Sequence, residues 1–241
     1  MGTSVPLYIR KITMNSIIDY FQTIDIDFVT STLKLLLTGA LVTLEITLVA
    51  VTCGVLIGLF VGIAELSNYR ILKYPAKVYV DIIRGTPLLV QIFIIYFALP
   101  ALLGVRIEPY IAAVVACSIN SGAYVAEIFR AGIQSIDKGQ FEAGRSLGLT
   151  WSQTMRKIVI PQAFRCTIPQ LGNEFIAMLK DSSLVSVIGF EELTRKGQLI
   201  IAATYRSFEI WTAVAIIYLI MTLTISRLVA YLEKKYNSKG H

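Results

Sequence analysis

Residues 142–148 read EAGRSLG, and after nine further residues the chain continues as IVIP at 158–161. This polar, glycine-marked segment lies between two apolar runs, 109–129 and 161–181, each about the length of a membrane crossing. A polar loop between two membrane helices is expected to lie in water, where a soluble partner can reach it. The stretch therefore predicts an all-α, polytopic membrane protein with a functional loop on its cytoplasmic side.

The composition excludes a water-soluble globular protein. Of the 241 residues, 55% are apolar, too many to hide inside one soluble core, so the lipid bilayer is the expected solvent. The net charge is +6, but the basic residues are dispersed among hydrophobic runs, which favours topology determinants over a nucleic-acid-binding patch. Cys53, Cys117 and Cys166 lie in or beside apolar runs and are expected to be buried thiols rather than metal ligands. The only histidine is His241, so histidine-based catalysis is not expected.

Residues 1–32 are expected to form an external N-terminal segment. They lack a continuous apolar stretch and a small-residue cleavage site, so a removable signal peptide is not predicted. Ile17, Phe21, Ile24 and Phe28 recur at helical spacing, which is typical of a helix lying in the membrane interface. A structureless tail is the alternative. Residues 33–241 are predicted to form a single transmembrane domain whose cytoplasmic loop covers 130–160.

Five stretches are candidates for membrane-spanning helices, because a crossing needs about 20 mainly apolar residues. They are 33–64, 86–103, 109–129, 161–181 and 209–231. The fourth is the most polar, since it contains Arg165, Gln170, Asn173 and Glu174. It is accepted as a span because Pro161 suits the first turn of a helix.

The distribution of basic residues predicts the orientation. One set of connections carries thirteen of them: Arg70, Lys73, Lys77, Arg84, Arg130, Lys138, Arg145, Arg156, Lys157, Arg227, Lys234, Lys235 and Lys239. The opposite set carries seven: Arg10, Lys11, Lys34, Arg106, Arg195, Lys196 and Arg206. Because the more basic side is usually cytoplasmic, the N-terminus is predicted to be outside and the loop 130–160 and the C-terminus inside.

The opening stretch resembles the E-A-A-x(3)-G-x(9)-I-x-L-P motif of permeases in ATP-binding-cassette importers. Every spacing fits, with Gly144 in place of the third Ala and Ile160 in place of Leu. The resemblance implies a short cytoplasmic coupling helix that docks in a cleft of an ATP-hydrolysing partner, so this chain itself would bind no cofactor and would not be an enzyme. The residues implied to couple to the ATPase are Glu142, Ala143, Gly144, Leu147 and Gly148.

Three further segments resemble the polar amino-acid permeases of that family. They are RGTPLLVQ at 84–91, SGAYVAEIFR at 121–130, and KDSSL at 180–184 continued by SVIG at 186–189, where Ser182 replaces the usual Thr. The resemblance implies a type I importer core in a bacterial inner membrane, paired with a second permease subunit, expected to be an identical chain. It also implies two ATPase subunits that bind ATP and Mg, and an extracellular or periplasmic solute-binding protein that delivers an amino acid.

Polar side chains within the spans are the candidate substrate site, because an ionisable group inside a membrane costs about 2.5–3.5 kcal/mol by insertion scales. In the first span, Glu45 lies seven residues from both Thr38 and Thr52, so the three share nearly one helix face. The third span has a similar stripe at Cys117, Asn120, Tyr124 and Glu127, and the fourth at Thr167, Gln170, Glu174 and Asp181. The predicted substrate-binding residues are Glu45, Asn120, Ser121, Asn173, Glu174, Lys180 and Asp181.

Structural roles compete with binding at several of these positions. Glu127 with Arg130, and Asp81 with Arg84, are three residues apart, so local ion pairs are the favoured interpretation there. Glu174 could instead hydrogen-bond a neighbouring helix. Lys180 and Asp181 could form an outer gate, a snorkelling pair or a contact between helices.

The excess of carboxylates suggests the ligand. Glu45 and Glu174, if uncompensated, favour a cationic amino acid such as arginine, lysine or histidine, unless Arg165 or Lys180 neutralises them. A glutamine, glutamate or cystine permease is the alternative. An ATP-independent secondary carrier is less favoured because the sequence has no internal repeat. An intramembrane protease is disfavoured because no serine has a histidine partner within the spans.

Overall fold

The computed structural model describes residues 26–237, and the side chains of 27–235. All regular structure in this part of the chain is helical. The helices are α1 (Ile26–Glu65), α2 (Arg70–Arg84), α3 (Leu88–Leu103), α4 (Pro109–Gln134), α5 (Lys138–Ser146), α6 (Ile160–Asp181), α7 (Leu193–Thr204) and α8 (Ser207–Asn237). A short helix at Trp151–Thr154 and a π-helical turn at Met155–Val159 lead into α6, and a 3-10 helix at Ser182–Ile188 follows it. The predicted all-α class is confirmed.

The N-terminal boundary of the first span lies earlier than predicted. Helix α1 begins at Ile26, so residues 26–32 of the predicted external segment are the first turns of this helix. Phe28 lies there, with the Arg206 guanidinium 4.4 Å from its ring centroid. Ile17, Phe21 and Ile24 lie outside the described residues, so the proposed interfacial helix stays a prediction.

Three described helices, α1, α4 and α8, are long and apolar enough to cross a membrane, and α2 with α3 adds a fourth if the pair is one broken span. The bend between α2 and α3 is 104° and falls at residues 85–87. Helix α6 has 22 residues, but its charged and amide side chains make it too polar for the same test. The count of five spans therefore stays a prediction.

The directions of the apolar helices favour that count. Helices α1 and α4 are parallel, because Gly54 adjoins Ser121 and Gly58 adjoins Val125. Helices α1 and α8 are also parallel. Phe28 adjoins Arg206, and further along both helices Thr43 and Tyr218 bind the same carboxylate, that of Glu192. If α1, α4 and α8 all cross in the same direction, the chain must return once before α4 and once before α8. The pair α2–α3 and helix α6 are the elements placed to make those returns.

Glycines let α1 and α4 approach closely. They recur at every fourth residue of α1, at Gly54, Gly58 and Gly62, and so lie on one face. A Cβ built on each would lie 2.7, 2.6 and 3.1 Å from atoms of Ser121, Val125 and Ala126, respectively. Small residues at this spacing are how membrane helices bring their backbones together. This contact forms the centre of the fold, and α2, α3 and α6 pack around it.

Candidate functional site

The predicted coupling segment forms a helix whose outer face is open. Helix α5 begins after Asp137, whose carboxylate accepts the Gly139 N–H at 2.5 Å and so satisfies one free donor of the first turn. Glu142 and Ala143 are exposed, and Leu147 is 77% exposed. Leu147 therefore presents an apolar side chain on the open face of the coupling segment.

Two glycines give the coupling segment its shape. Gly144 is buried, and a Cβ on it would lie 2.6 Å from both Cγ2 and Oγ1 of Thr154. Close packing on the short helix before α6 therefore explains why glycine stands where the family motif has alanine. Gly148 has φ +77°, which favours glycine, and nothing in the described chain lies within 4 Å of a Cβ built there. The space beside Gly148 is thus free for a partner.

Glu45 lies on the surface of the chain. Its Oε1 accepts a hydrogen bond from the Tyr110 hydroxyl at 3.2 Å. Glu45, Thr38 and Thr52 are all exposed, so the predicted polar stripe forms part of the outer face of α1. The stripe is therefore not enclosed by the described part of this chain.

Asn120 and Ser121 are buried in the interior. The Asn120 amide donates to Gln91 Oε1 at 3.0 Å, and Gln91 Nε2 donates to the carbonyls of Ile83 and Thr86 and to the Thr86 hydroxyl. Asn120 thus anchors the bend between α2 and α3. The Ser121 hydroxyl makes no well-formed hydrogen bond among the described residues.

Glu174 is a residue of α6 at the contact with α4, and only 9% of its surface is exposed. Its carboxyl lies beside the Ser121 hydroxyl. Further along α4, Gly132 packs on Thr167, which precedes Glu174 in α6. The helices α4 and α6 are therefore antiparallel. Asn173, Lys180 and Asp181 are exposed on α6. The structure therefore brings Glu174 and Ser121 together and leaves Glu45 on a separate surface.

The predicted local ion pairs are partly confirmed. Arg130 binds Glu127 at 2.5 Å, as the spacing predicts. Arg84 pairs with Glu127 at 3.5 Å and stacks over the Tyr124 ring at 5.4 Å, so its predicted pairing with Asp81 is wrong. Helix α2 packs against α4 and so brings Arg84 within reach of Glu127, a contact between helices that i, i+3 spacing cannot foresee.

Glu192 is a polar centre that sequence reasoning missed. It is fully buried, caps α7 by accepting the N–H groups of Thr194 and Arg195, and accepts the Tyr218 hydroxyl at 3.0 Å and the Thr43 hydroxyl at 3.5 Å. This carboxylate joins α1, α7 and α8. The available signal was its position just before a helical stretch, where a side-chain oxygen acts as a cap. Its neighbour Glu191 is exposed, and a hydrogen bond from Lys196 holds the pKa of the Glu191 carboxyl below its usual range.

Comparisons with known proteins agree with this geometry. Residues 54–238 match the model of the family described as "binding-protein-dependent transport system inner membrane component". The glutamine transport system permease protein GlnP of Escherichia coli K12 is 48% identical over 204 residues, which cover 84% of this chain and 93% of that protein. The arginine transport system permease protein ArtQ of Bacillus subtilis is 39% identical over 203 residues, with the same coverage.

Solved structures extend the agreement to the fold. An amino acid ABC transporter crystallised with histidines superposes with a TM-score of 0.85 at 48% identity, covering 88% of this chain and 99% of that one. The MetNI methionine ABC transporter, at 21% identity and a TM-score of 0.71, shares the fold. The predicted resemblance is confirmed, and the relatives are permease subunits rather than enzymes. This chain belongs to the family of binding-protein-dependent transport system inner membrane components.

Proposed function

We propose that this chain is the membrane subunit of an ATP-driven importer that carries a polar amino acid into the cytoplasm. The importer is assembled from two copies of this chain, two ATPase subunits that bind ATP and Mg, and a solute-binding protein on the outer side. Glutamine and arginine permeases among the relatives support the substrate class. The N-terminus lies outside and the C-terminus inside, as the basic residues favour.

The open surface of the coupling segment carries this proposal. Glu142, Ala143 and Leu147 are exposed together, and Gly148 leaves free space beside them. The segment directly follows α4 and precedes α6, so a partner that moves it acts on two helices of the core. Glu142 supplies a charge-assisted hydrogen bond to the docked ATPase.

The test is the change Gly148→Asp, with Gly104→Asp as its matched control. Both glycines have a left-handed φ, +77° and +67°, and neither has an atom within 4 Å of a built Cβ, so the backbone strain is matched. We expect Gly148→Asp to abolish substrate-stimulated ATP hydrolysis by the assembled complex and Gly104→Asp to preserve it. Normal stimulation in assembled Gly148→Asp refutes the docking role, and uptake by vesicles without ATP indicates a secondary carrier.

The favoured substrate is a cationic amino acid. In the described part of the chain, no ion pair links Glu45 or Glu174 to Arg165, Lys180 or another cation. Carboxylates without a cation partner in a lumen formed by two subunits attract a positively charged side chain. Substrate contacts are assigned to the exposed residues Glu45, Asn173, Lys180 and Asp181. Glu174 and Ser121, which are buried together, and Asn120, which anchors the bend, would act by shaping the helices around the site.

Glutamine is the second candidate, because the glutamine permease of Escherichia coli is 48% identical whereas the arginine permease of Bacillus subtilis is 39% identical. The two substrates differ in charge, so binding separates them directly. Calorimetric titration of the purified complex with arginine and with glutamine is the measurement. Tighter arginine binding supports the cationic assignment, and tighter glutamine binding overturns it without affecting the assignment of an amino-acid importer.

A further inference from the structure

A cationic pocket lies at the turn between α1 and α2. It has a volume of about 380 Å³ and is lined by Ser67, Asn68, Arg70, Lys73, Tyr74 and Lys77. Its lining contains three cations and no carboxylate. None of the ion pairs in the described part of the chain involves these three cations. Lys73 and Lys77 also line a neighbouring pocket that contains Glu65, Asp81 and Glu127, whereas Arg70 lines only this one of the two. The lining of this pocket favours an anion, and Ser67 and Asn68 add neutral hydrogen-bond donors.

An apolar pocket adjoins the cationic one. It has a volume of about 350 Å³ and shares Ser67 and Asn68 with its neighbour. Its other walls are mainly apolar: Ile63 in the last turn of α1, Leu66 just beyond it, Ile133 in α4, Trp151 in the short helix after α5, and Ile160 at the start of α6. A ligand that fills both spaces must carry an anionic head and an apolar tail.

The surroundings place this double pocket at a membrane boundary. Along the last turns of α1, Phe60 and Ile63 are 71% and 58% exposed, as expected of residues in contact with lipid. Immediately beyond them come the exposed rings of Tyr69 and Tyr74, and tyrosine is enriched where hydrocarbon meets headgroups. Ile71 is 86% exposed on the first turn of α2, a cost in water that contact with a bilayer removes.

We propose that an anionic phospholipid occupies both pockets, with its phosphate among Arg70, Lys73 and Lys77 and an acyl chain along Ile63 and Trp151. Basic pockets between membrane helices suit anionic headgroups because each nearby cation lowers the binding free energy. Trp151 lies between the coupling helix and α6. The lipid thus supports the segment on which the ATPase acts, and ATP hydrolysis depends on the anionic lipid content of that leaflet.

The test compares Arg70→Gln with Lys73→Gln, made together, against Arg227→Gln with Lys234→Gln, two exposed cations outside both pockets. The purified complex is titrated with phosphatidylglycerol and with phosphatidylcholine, and bound lipids are counted by native mass spectrometry. We expect phosphatidylglycerol to bind the first variant about thirtyfold more weakly, which is about 2 kcal/mol at about 1.4 kcal/mol per tenfold. The control and the binding of phosphatidylcholine should be unchanged.

Further measurements distinguish a bound phospholipid from a free anion and from a nonspecific effect of lost charge. Glycerophosphoglycerol, which has the headgroup without acyl chains, should not displace the lipid; displacement means that the site holds a free anion and overturns the proposal. Equal loss in both double variants, or no loss in the first, also overturns it. If Arg70→Gln with Lys73→Gln fails to assemble, Lys73→Gln alone should weaken binding about fivefold, and Lys73→Arg should restore it. ATP hydrolysis should be faster in vesicles of equal parts phosphatidylcholine and phosphatidylglycerol than in phosphatidylcholine alone, and only the first double variant should lose this difference.

Discussion

Glu45 is the residue at which charge preference can be tested without disturbing the fold. It is exposed, and the Tyr110 hydroxyl is its hydrogen-bond partner at 3.2 Å. A carboxylate whose hydrogen-bond partner is one neutral hydroxyl has further acceptor capacity for a ligand. Structural carboxylates in this chain look different, since Glu192 is fully buried and accepts hydrogen bonds from four residues.

Changing Glu45 to Gln should weaken arginine binding to the assembled complex. A charge-assisted hydrogen bond worth about 1.5–3 kcal/mol is lost, which corresponds to about ten- to over a hundredfold in affinity. Glutamine binding should change far less. Tyr110→Phe is the control, because it removes the hydroxyl and keeps the carboxylate, so arginine should still bind. Equal loss for arginine and glutamine, or no loss for arginine, removes Glu45 from the site.

At Gly132 the close approach of α4 to α6 leaves no room for a side chain, because of a single methyl group. A Cβ on Gly132 would lie 2.4 Å from Cγ2 of Thr167, whereas the next atoms are 3.5 Å or more away. The Thr167 hydroxyl donates to the Phe164 carbonyl at 2.9 Å and does not take part in the collision. Replacing this threonine with serine therefore makes room for a side chain at 132 and keeps the hydrogen bond.

We expect Gly132→Ala to lower the free energy of unfolding by about 1–3 kcal/mol, as overpacking does in other cores. Adding Thr167→Ser should recover most of this loss, since the two changes are coupled through one contact. Thermal unfolding of the two variants and of Thr167→Ser alone measures the coupling. If the double variant is no more stable than Gly132→Ala, the close approach of α4 and α6 at this point is wrong.

Helices could be predicted where a local sequence pattern determines them. They could not be predicted where contacts between distant parts of the chain determine them. Apolar runs located α1, α4 and α8, because lipid demands long helices with internally paired backbones. The charged residues at 70–84 predict a connecting loop, but the structure has the helix α2 there, which packs against α1 and α4. The motif located α5 correctly. The burial of Glu192 and the link from Asn120 to Gln91 required knowledge of which helices are neighbours, and no local spacing carries that information.

At the scale of the whole molecule, orientation in the membrane is the property that best tests the assembly. The parallel directions of α1, α4 and α8 put the coupling segment and the C-terminal end of α8 on the same side. The basic residues predict that this side is cytoplasmic. Both statements must hold for an ATPase to reach α5.

Labelling of introduced cysteines in intact cells tests the orientation. Cys166 is exposed, so the three native cysteines are first replaced by serine. An impermeant thiol reagent should then label a cysteine placed at Asn15 or Arg195 but not one placed at Lys138 or Asn237. Permeabilised cells, in which all four positions should react, provide the control. The reverse pattern inverts the topology and removes the loop from the ATPase.

The glycine contact between α1 and α4 has a mechanical consequence. At Gly54 and Gly58 the two helices meet with no layer of long side chains between them, so neither can slide past the other without collision. We therefore expect α1 and α4 to move as one rigid unit during transport. Helix α4 leads into the coupling helix α5, and helix α1 carries Glu45. On the proposed function, a force that the ATPase applies to α5 would therefore displace α4, α1 and the Glu45 carboxylate together.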